Sequence, residues 1–419
     1  MHEDQFRQAL RLGLGRAIVY ARLHDVREFR DAILDACLHC YSYDVQTEGT
    51  RASYMYDLVG CLPNKDFYVS EVLRSLAASG DDNDAAQRFH FAACLALDGS
   101  EEAKRAMYDS YAPGPRMGEL IGIDFLKMDG IKGLLFVAER IGPLLIAKPE
   151  EVDTGYLLRQ SFEICGEQTT WDALRDAGAR NSAIEAYRLA ATKTHGRSSE
   201  QSHRPEITSL RYEQLFHEVP ANKPFLLLKW GERANDQELE LAAKGLIGAK
   251  DSKQQLAHLR IFARRRFPLD PHALVALADV EGDRVGFAAV KALSHIEHPA
   301  VRALAFRLMD TRARARGGAV DLLAPNFQDG DHAIVLRWFQ EEEDREALHS
   351  LGMDSLDFWK RHPHEQTEIP MMSALYEKGP CSFCRERAVT RLLDRGALDE
   401  PLRAECAWDA NSDIRDLVK

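Results

Sequence analysis

The sequence predicts an all-α fold in which short helices pack as consecutive hairpins. Apolar residues along nearly the whole chain recur at intervals of three and four rather than two, which is the spacing of one helix face. The 27 glycines and 16 prolines are few for 419 residues, and helix start signals recur at short intervals in the second half. The best strand candidate, the apolar run at residues 224–230, fits a buried helix equally well.

In the first half of the chain, the apolar pattern predicts amphipathic helices over residues 6–39, with a break near His24. Residues 83–108 contain two further helix starts. Pro113 and Pro115 cannot both lie inside one helix, so the chain is expected to turn between helices there.

A polar stretch at residues 193–205 contains no large apolar side chain and predicts an exposed loop or linker. It separates two regions of different character. We expect an irregular N-terminal helical region at residues 1–192 and a more repetitive helical region at residues 206–419.

Helix starts in the second region follow one another closely, at Asp251-Ser252, Asp270-Pro271, Asp283-Arg284 and His298-Pro299. Each start opens a helix of about a dozen residues. The last two starts are followed by an adjacent valine and arginine, and then by small residues along one face. The pattern resembles HEAT repeats, most clearly over residues 251–310 and 381–419. The resemblance implies a right-handed α-α superhelix, as in HEAT and armadillo solenoids.

The same resemblance implies a function, because stacked hairpins commonly bind other proteins through their concave face. The expectation is a protein-binding scaffold without catalysis of its own, and its partner protein is unidentified. Two other HEAT-like classes remain open. One is a nucleic-acid enzyme resembling the alkylpurine DNA glycosylases, and the other is a small-molecule lyase or isomerase on a HEAT scaffold.

The charge and composition of the chain limit the classes of partner that we expect. The chain has 54 Lys and Arg against 66 Asp and Glu, and a formal charge of −12 disfavours nucleic acid unless basic residues gather on one face. An acidic start and an apolar stretch at residues 133–149 that charged residues interrupt indicate neither an export signal nor a membrane span. Eight cysteines are too few for a disulfide framework. We therefore expect a cytoplasmic chain with reduced thiols, no membrane partner and no cofactor.

Residues 37–57 form the densest run of polar, aromatic and titratable side chains. Five of them would converge at one end of a hairpin and form a candidate pocket for a small ligand or peptide: Asp44, Glu48, Arg51, Tyr54 and Asp57. The alternative is that the arginine pairs with a nearby acid and the tyrosines satisfy buried groups, as ion-pair networks without a function often do.

Two Cys-x-x-Cys pairs, Cys37 with Cys40 and Cys381 with Cys384, have the spacing of metal ligands or redox thiols. The residues considered as further zinc ligands are His39 or Cys61 for the first pair, and Cys406, His362 and His364 for the second. A reactive thiol belongs at a helix N-terminus, which fits Cys381 best. Cysteines are also common core residues, so the expectation is apolar packing and no metal.

Basic residues concentrate in residues 260–316, where eleven Lys and Arg stand against six Asp and Glu. Stacked hairpins would place them on one concave surface as an anion-binding stripe for an acidic peptide or nucleic acid. The candidate residues are Arg264, Arg265, Arg266, Arg302 and Arg307. In a glycosylase-like enzyme they would hold phosphates, and Trp230, or Trp171 beside Asp172, would act at the damaged base. The alternative is that these arginines pair with nearby acids.

Overall fold

The computed structural model describes residues 1–78, 81–112, 118–148, 154–200, 210–218, 223–279, 284–311 and 313–419. All regular structure in these ranges is helical, and they contain no strand, so the all-α prediction is confirmed. The run at residues 224–230 belongs to a helix. The turn expected at Pro113 and Pro115 and the start residue Asp283 lie outside the described residues.

The described residues form 27 α-helices. The first thirteen are α1 (Glu3–Leu12), α2 (Arg16–Leu23), α3 (Arg30–Leu38), α4 (Val45–Glu48), α5 (Ala52–Gly60), α6 (Lys65–Ser75), α7 (Asp82–Leu97), α8 (Glu101–Ser110), α9 (Gly118–Asp129), α10 (Ile131–Ala147), α11 (Gly155–Cys165), α12 (Glu167–Gly178) and α13 (Ser182–Glu200). The others are α14 (Tyr212–Glu218), α15 (Pro224–Arg233), α16 (Asp236–Ile247), α17 (Ser252–Ile261), α18 (His272–Ala278), α19 (Arg284–Leu293), α20 (Pro299–Thr311), α21 (Ala313–Leu323), α22 (Asp331–Glu341), α23 (Arg345–Arg361), α24 (Glu365–Lys378), α25 (Ser382–Asp394), α26 (Glu400–Cys406) and α27 (Ser412–Asp416).

Contacts divide the chain into two compact units. The first comprises Met1–Ser202 together with Asp399–Lys419, and the second comprises His203–Leu398. The sequence analysis grouped residues 399–419 with the repetitive C-terminal region, whereas their contacts place α26 and α27 in the first unit.

In the first unit, alternate helices stack in a row from α1 through α3, α5, α7, α9 and α11 to α13. Consecutive helices such as α7 and α8 also pack together, which is the arrangement of stacked hairpins. Small residues allow close approach between them. A Cβ atom on Gly133 of α10 would lie 1.9 Å from the carbonyl oxygen of Phe125 in α9, so only glycine permits this crossing.

The helix α13 extends through the first part of the stretch expected to be a loop. Residues 193–200 are helical, and residues 201–205 lie outside the described residues. Two polar side chains of this segment have partners within the unit. The Thr194 hydroxyl lies 3.3 Å from the Thr154 hydroxyl, and the His195 ring packs edge-on against Phe162 and Trp171. These contacts stabilise a helix that composition alone did not predict.

The C-terminal helices of the first unit pack against its N-terminal hairpin. The backbone N–H of Ala410 donates to the carbonyl of Gly13 at 2.8 Å, and Arg16 forms an ion pair of 2.7 Å with Glu405. A Cβ on Gly15 would lie 1.9 Å from the Glu405 carbonyl oxygen. The turn between α1 and α2 is therefore fitted closely to residues that follow about four hundred positions later in the chain.

In the second unit, one row of alternate helices runs from α15 through α17, α19, α21 and α23 to α25. A second set of contacts joins α14 to α16, α18 to α20, and α22 to α24. These are the stacked hairpins that the helix starts predict, and the right-handed sense of the superhelix stays a prediction. Asp251 caps α17 by accepting from the Gln254 N–H at 2.8 Å, and Asp270 accepts from the His272 N–H at 2.9 Å.

Candidate functional site

In the candidate N-terminal pocket, two of the predicted side chains form hydrogen bonds with the backbone of the chain itself. The Arg51 guanidinium donates to the Leu12 carbonyl at 2.7 Å, and the Tyr54 hydroxyl donates to the Leu14 carbonyl at 2.8 Å. Both side chains are buried. They satisfy carbonyl groups at the turn between α1 and α2, so their contacts are those of a buried structural network.

The three acidic residues of the same group have separate positions. Glu48 is nearly buried, with one carboxylate oxygen 3.7 Å from the Arg51 guanidinium. Asp44 caps the short helix α4 by accepting from the Gln46 N–H at 3.0 Å, and Asp57 lies on the exposed side of α5. The structure thus brings Glu48 and Arg51 together and leaves Asp44 and Asp57 on the surface.

The arginines that follow α17 stand beside acids of the preceding helices. Arg264 forms an ion pair of 2.7 Å with Glu232, and Arg265 lies 4.0 Å from Asp236. Arg266 is exposed. All three side chains are therefore surface groups, and two of them have a carboxylate of the chain itself as neighbour.

The two arginines of α20 are also paired. Arg302 binds both carboxylate oxygens of the buried Asp331, at 2.7 and 2.8 Å, and Arg307 lies 3.2 Å from Asp279. A bidentate pair with a buried carboxylate ties α20 to the start of α22. The five arginines of the candidate stripe are thus largely neutralised where they stand.

A different group of cations lines an open cavity of about 390 Å³ between α17 and α19, which we call the α17–α19 groove. Its lining residues are Leu256, Leu259, Arg260, Ala263, Arg284, Phe287, Ala288 and Lys291. Arg260 is half-buried and Arg284 is exposed, and in the described part of the chain no carboxylate lies within 4.0 Å of either guanidinium. Burial and the neighbouring charge of Arg284 lower the pKa of Arg260. The Phe287 ring is 46% exposed.

One end of the groove meets a pair of carboxyl groups. Lys291 donates to Asp321 of α21 and lies 3.9 Å from Asp354 of α23. Burial and the neighbouring Asp321 carboxylate raise the pKa of Asp354 well above its usual range, because two carboxylates so close together do not both ionise. At one end of the groove lie Arg260 and Arg284, which no carboxylate of the described residues neutralises, and at the other end lies Lys291, which is paired with Asp321.

A further cluster places two thiol groups next to an imidazole. Cys381 is the N-cap residue of α25, Cys384 lies in the first turn, and His349 projects from α23, which packs against α25. The Cys384 sulfur lies 3.8 Å from His349 Nδ1, and the three possible ligand atoms all lie within 4.8 Å of one another. Both thiols are buried, and the histidine is half-buried.

The environment of Cys381 favours the thiolate. A hydrogen bond from the Cys384 thiol, with others from His349 and the backbone N–H groups of Phe383 and Cys384, lowers the pKa of Cys381 to about 4 despite its burial. Cys37 of the other pair differs, since burial raises its pKa. The two Cys-x-x-Cys sequences therefore have different chemistry.

Sequence reasoning did not select His349. Of the ligands it considered for Cys381 and Cys384, His362 is hydrogen-bonded to the Ala324 carbonyl at 2.7 Å and His364 to Thr367 at 3.0 Å. The only related signal in the sequence is its separation of 35 residues from Cys384, and this separation does not single out His349 from its neighbours. This separation corresponds to one hairpin of the repeat, so the two residues fall on neighbouring helices of the same row.

Comparison with known proteins yields no match, whether with family models, with curated proteins or with solved structures. The resemblance to HEAT repeats therefore stays a prediction from the sequence. Among the described residues, no helix is both long and apolar enough to span a membrane.

Proposed function

We propose that this chain is a helical-repeat binding protein whose α17–α19 groove takes an acidic segment of a partner protein. The observation that carries the proposal is the pair Arg260 and Arg284, which no carboxylate of the described residues neutralises. The segment would place one or two carboxylates at these guanidinium groups and an aromatic or aliphatic side chain against Phe287.

Electrostatics favours such a ligand. Two like charges that face a common cavity repel each other, and the partial burial of Arg260 withdraws its charge from water. A carboxylate between them would relieve both effects, and a guanidinium group can bind it through two parallel hydrogen bonds. The exposed Phe287 and the half-buried Leu256 offer an apolar surface beside the charges.

The rest of the unit favours a peptide over nucleic acid. Arg264, Arg302 and Arg307 are paired with acids of the chain, so they do not extend the positive groove into a long stripe. At the other end of the groove, Lys291 is already paired with Asp321, so it is not available to a continuous phosphate backbone. A short acidic segment needs only the guanidinium end.

Fluorescence anisotropy tests the proposal with three labelled probes: a peptide that alternates Asp or Glu with Phe or Leu, its Lys-substituted counterpart, and a short DNA duplex. We expect the acidic peptide to bind, and to bind more weakly at about 300 mM than at about 50 mM salt. The double variant R260E/R284E should lose ~10-fold or more in affinity, a difference of about 1.4 kcal/mol.

The charge-matched control is K253E/R266E, which changes two exposed cations outside the groove. It should bind the acidic peptide like the unchanged chain. Equal losses in the two double variants would mean that net charge, not the groove, determines binding. Tighter binding of the duplex than of the acidic peptide would replace the proposal by the nucleic-acid alternative.

A further inference from the structure

The cluster of His349, Cys381 and Cys384 goes beyond the groove and its proposed ligand. Three atoms that bind soft or borderline metal ions lie within 4.8 Å of one another, on the facing helices α23 and α25. In a tetrahedral zinc site, bonds of about 2.3 Å to sulfur and about 2.0 Å to nitrogen separate the ligand atoms by roughly 3.5 to 3.8 Å. The Cys384 sulfur and His349 Nδ1 are already 3.8 Å apart. Small side-chain movements would therefore bring all three atoms to the separations of a tetrahedral zinc site.

The kind of ligand selects the kind of metal. Two thiol groups and an imidazole suit Zn²⁺ and disfavour Mg²⁺ and Ca²⁺, which require oxygen ligands. The helix N-terminus contributes as well, because the N–H groups of Phe383 and Cys384 are directed at the Cys381 sulfur and stabilise its negative charge. A metal-bound thiolate thus has backbone hydrogen bonds already in place.

The burial of both thiol groups is a second, independent observation that favours a metal site. Cys381 is 7% exposed and Cys384 is 4% exposed, and they are not joined by a disulfide. A site made only for packing needs no imidazole directed at the sulfur atoms. In the described part of the chain no further His, Cys, Asp or Glu completes the cluster, so the described residues supply three ligands.

We propose that His349, Cys381 and Cys384 bind one Zn²⁺ ion, with a water molecule in the fourth coordination position. The ion would join two successive hairpins of the second unit, since one ligand comes from α23 and two come from the start of α25. Half-exposed His349 marks the side from which the water reaches the metal. Cys381 is already a thiolate near neutral pH, so binding releases the proton of the Cys384 thiol to solvent and leaves two thiolates and a neutral imidazole on the ion.

The test uses the full chain, purified under reducing conditions, stripped with a chelator and titrated with Zn²⁺ or Co²⁺ alone. We expect about one metal ion per chain and, with Co²⁺, the absorption of a tetrahedral site with thiolate ligands. The variants C381S, C384S and H349N should each weaken binding by ~100-fold or more. The matched controls C61S and H364N change a thiol and an imidazole outside the cluster and should bind metal like the unchanged chain.

The unchanged chain provides a readout that does not depend on the folding of any variant. Its thermal midpoint should rise when Zn²⁺ is added to the stripped protein, whereas Mg²⁺ should leave it unchanged. Absence of the thiolate–cobalt absorption from the reduced, folded chain would overturn the proposal. The proposal would also be overturned if C381S and C384S bound the metal like the unchanged chain. The same holds if Zn²⁺ left the thermal midpoint of the fully reduced chain unchanged.

Discussion

Replacement of Glu368 by glutamine should destabilise the second unit strongly, because this carboxylate is the buried centre of an ion-pair network. Glu368 lies on α24 and its side chain is fully buried. One of its oxygens accepts from Arg391 at 3.0 Å, and the other accepts two hydrogen bonds from Arg395, at 3.0 and 2.6 Å. The single side chain therefore joins α24 to α25 and to the C-cap residue of α25 through three charged hydrogen bonds.

The magnitude follows from what each partner loses. Removal of one member of a buried ion pair typically costs about 3 to 5 kcal/mol, since the opposite charge stays behind without compensation. Arg391 and Arg395 are 28% and 33% exposed, so water can hydrate both guanidinium groups after the change. The lower end of this range therefore applies, and we expect the free energy of unfolding to fall by about 3 kcal/mol. In a thermal unfolding experiment this loss corresponds to a midpoint lower by roughly 6 to 12 °C.

The assay is urea unfolding followed by far-ultraviolet circular dichroism, with D357N as the matched control. Asp357 forms an ion pair of 3.4 Å with Arg387 between α23 and α25, but both side chains are about half exposed. An exposed pair contributes under about 1 kcal/mol, so D357N should change the unfolding midpoint little. If E368Q were as stable as D357N, the reasoning from burial would be refuted.

Three other changes test the packing and the titration of single residues. G133A should lower the thermal midpoint, because its Cβ would meet the Phe125 carbonyl at 1.9 Å, whereas G60A, with nothing within 4 Å, should not; equal midpoints would contradict the close crossing. A292L should lower the midpoint by several degrees, since Ala292 is fully buried and overpacking costs about 1 to 3 kcal/mol; an unchanged midpoint would mean that the site accepts bulk. Burial lowers the pKa of His258, so only the unfolded chain takes up this proton as the pH falls below about 6.5, and stability should decline there. The H258Q variant should decline less between about pH 7 and pH 5, and an identical decline would assign the proton uptake to other groups.

The helices were predictable because their signals are local. Asp251 is an N-cap and Asp270 accepts from the first N–H of α18, and the sequence shows both as helix start signals. The apolar spacing defines the buried face of each helix. Residues 193–200 were not predictable in this way, because their helix depends on partners such as Thr154 and Phe162 from another hairpin. Composition describes the segment but not its neighbours.

Side-chain partners were the least predictable part of the candidate sites. The anion-binding stripe was predicted from the high number of arginines in residues 260–316. In the structure, however, Arg302 is paired with Asp331 of α22 and Arg307 with Asp279, the C-cap residue of α18. Likewise His349 has no motif of its own, and only the stacking of α23 on α25 brings it to the two cysteines. Long-range pairing depends on tertiary structure, which local periodicity does not contain.

The discontinuous make-up of the first unit has a consequence for biosynthesis. Asp399–Lys419 belongs to this unit but follows the whole of His203–Leu398 along the chain. During translation, the α1–α2 turn with Gly13 and Gly15 therefore leaves the ribosome long before the residues that cover it. Until α26 arrives, Arg16 has no Glu405 to pair with and this surface faces solvent or a chaperone. Synthesis of the first unit thus begins before that of the second unit and is completed after it.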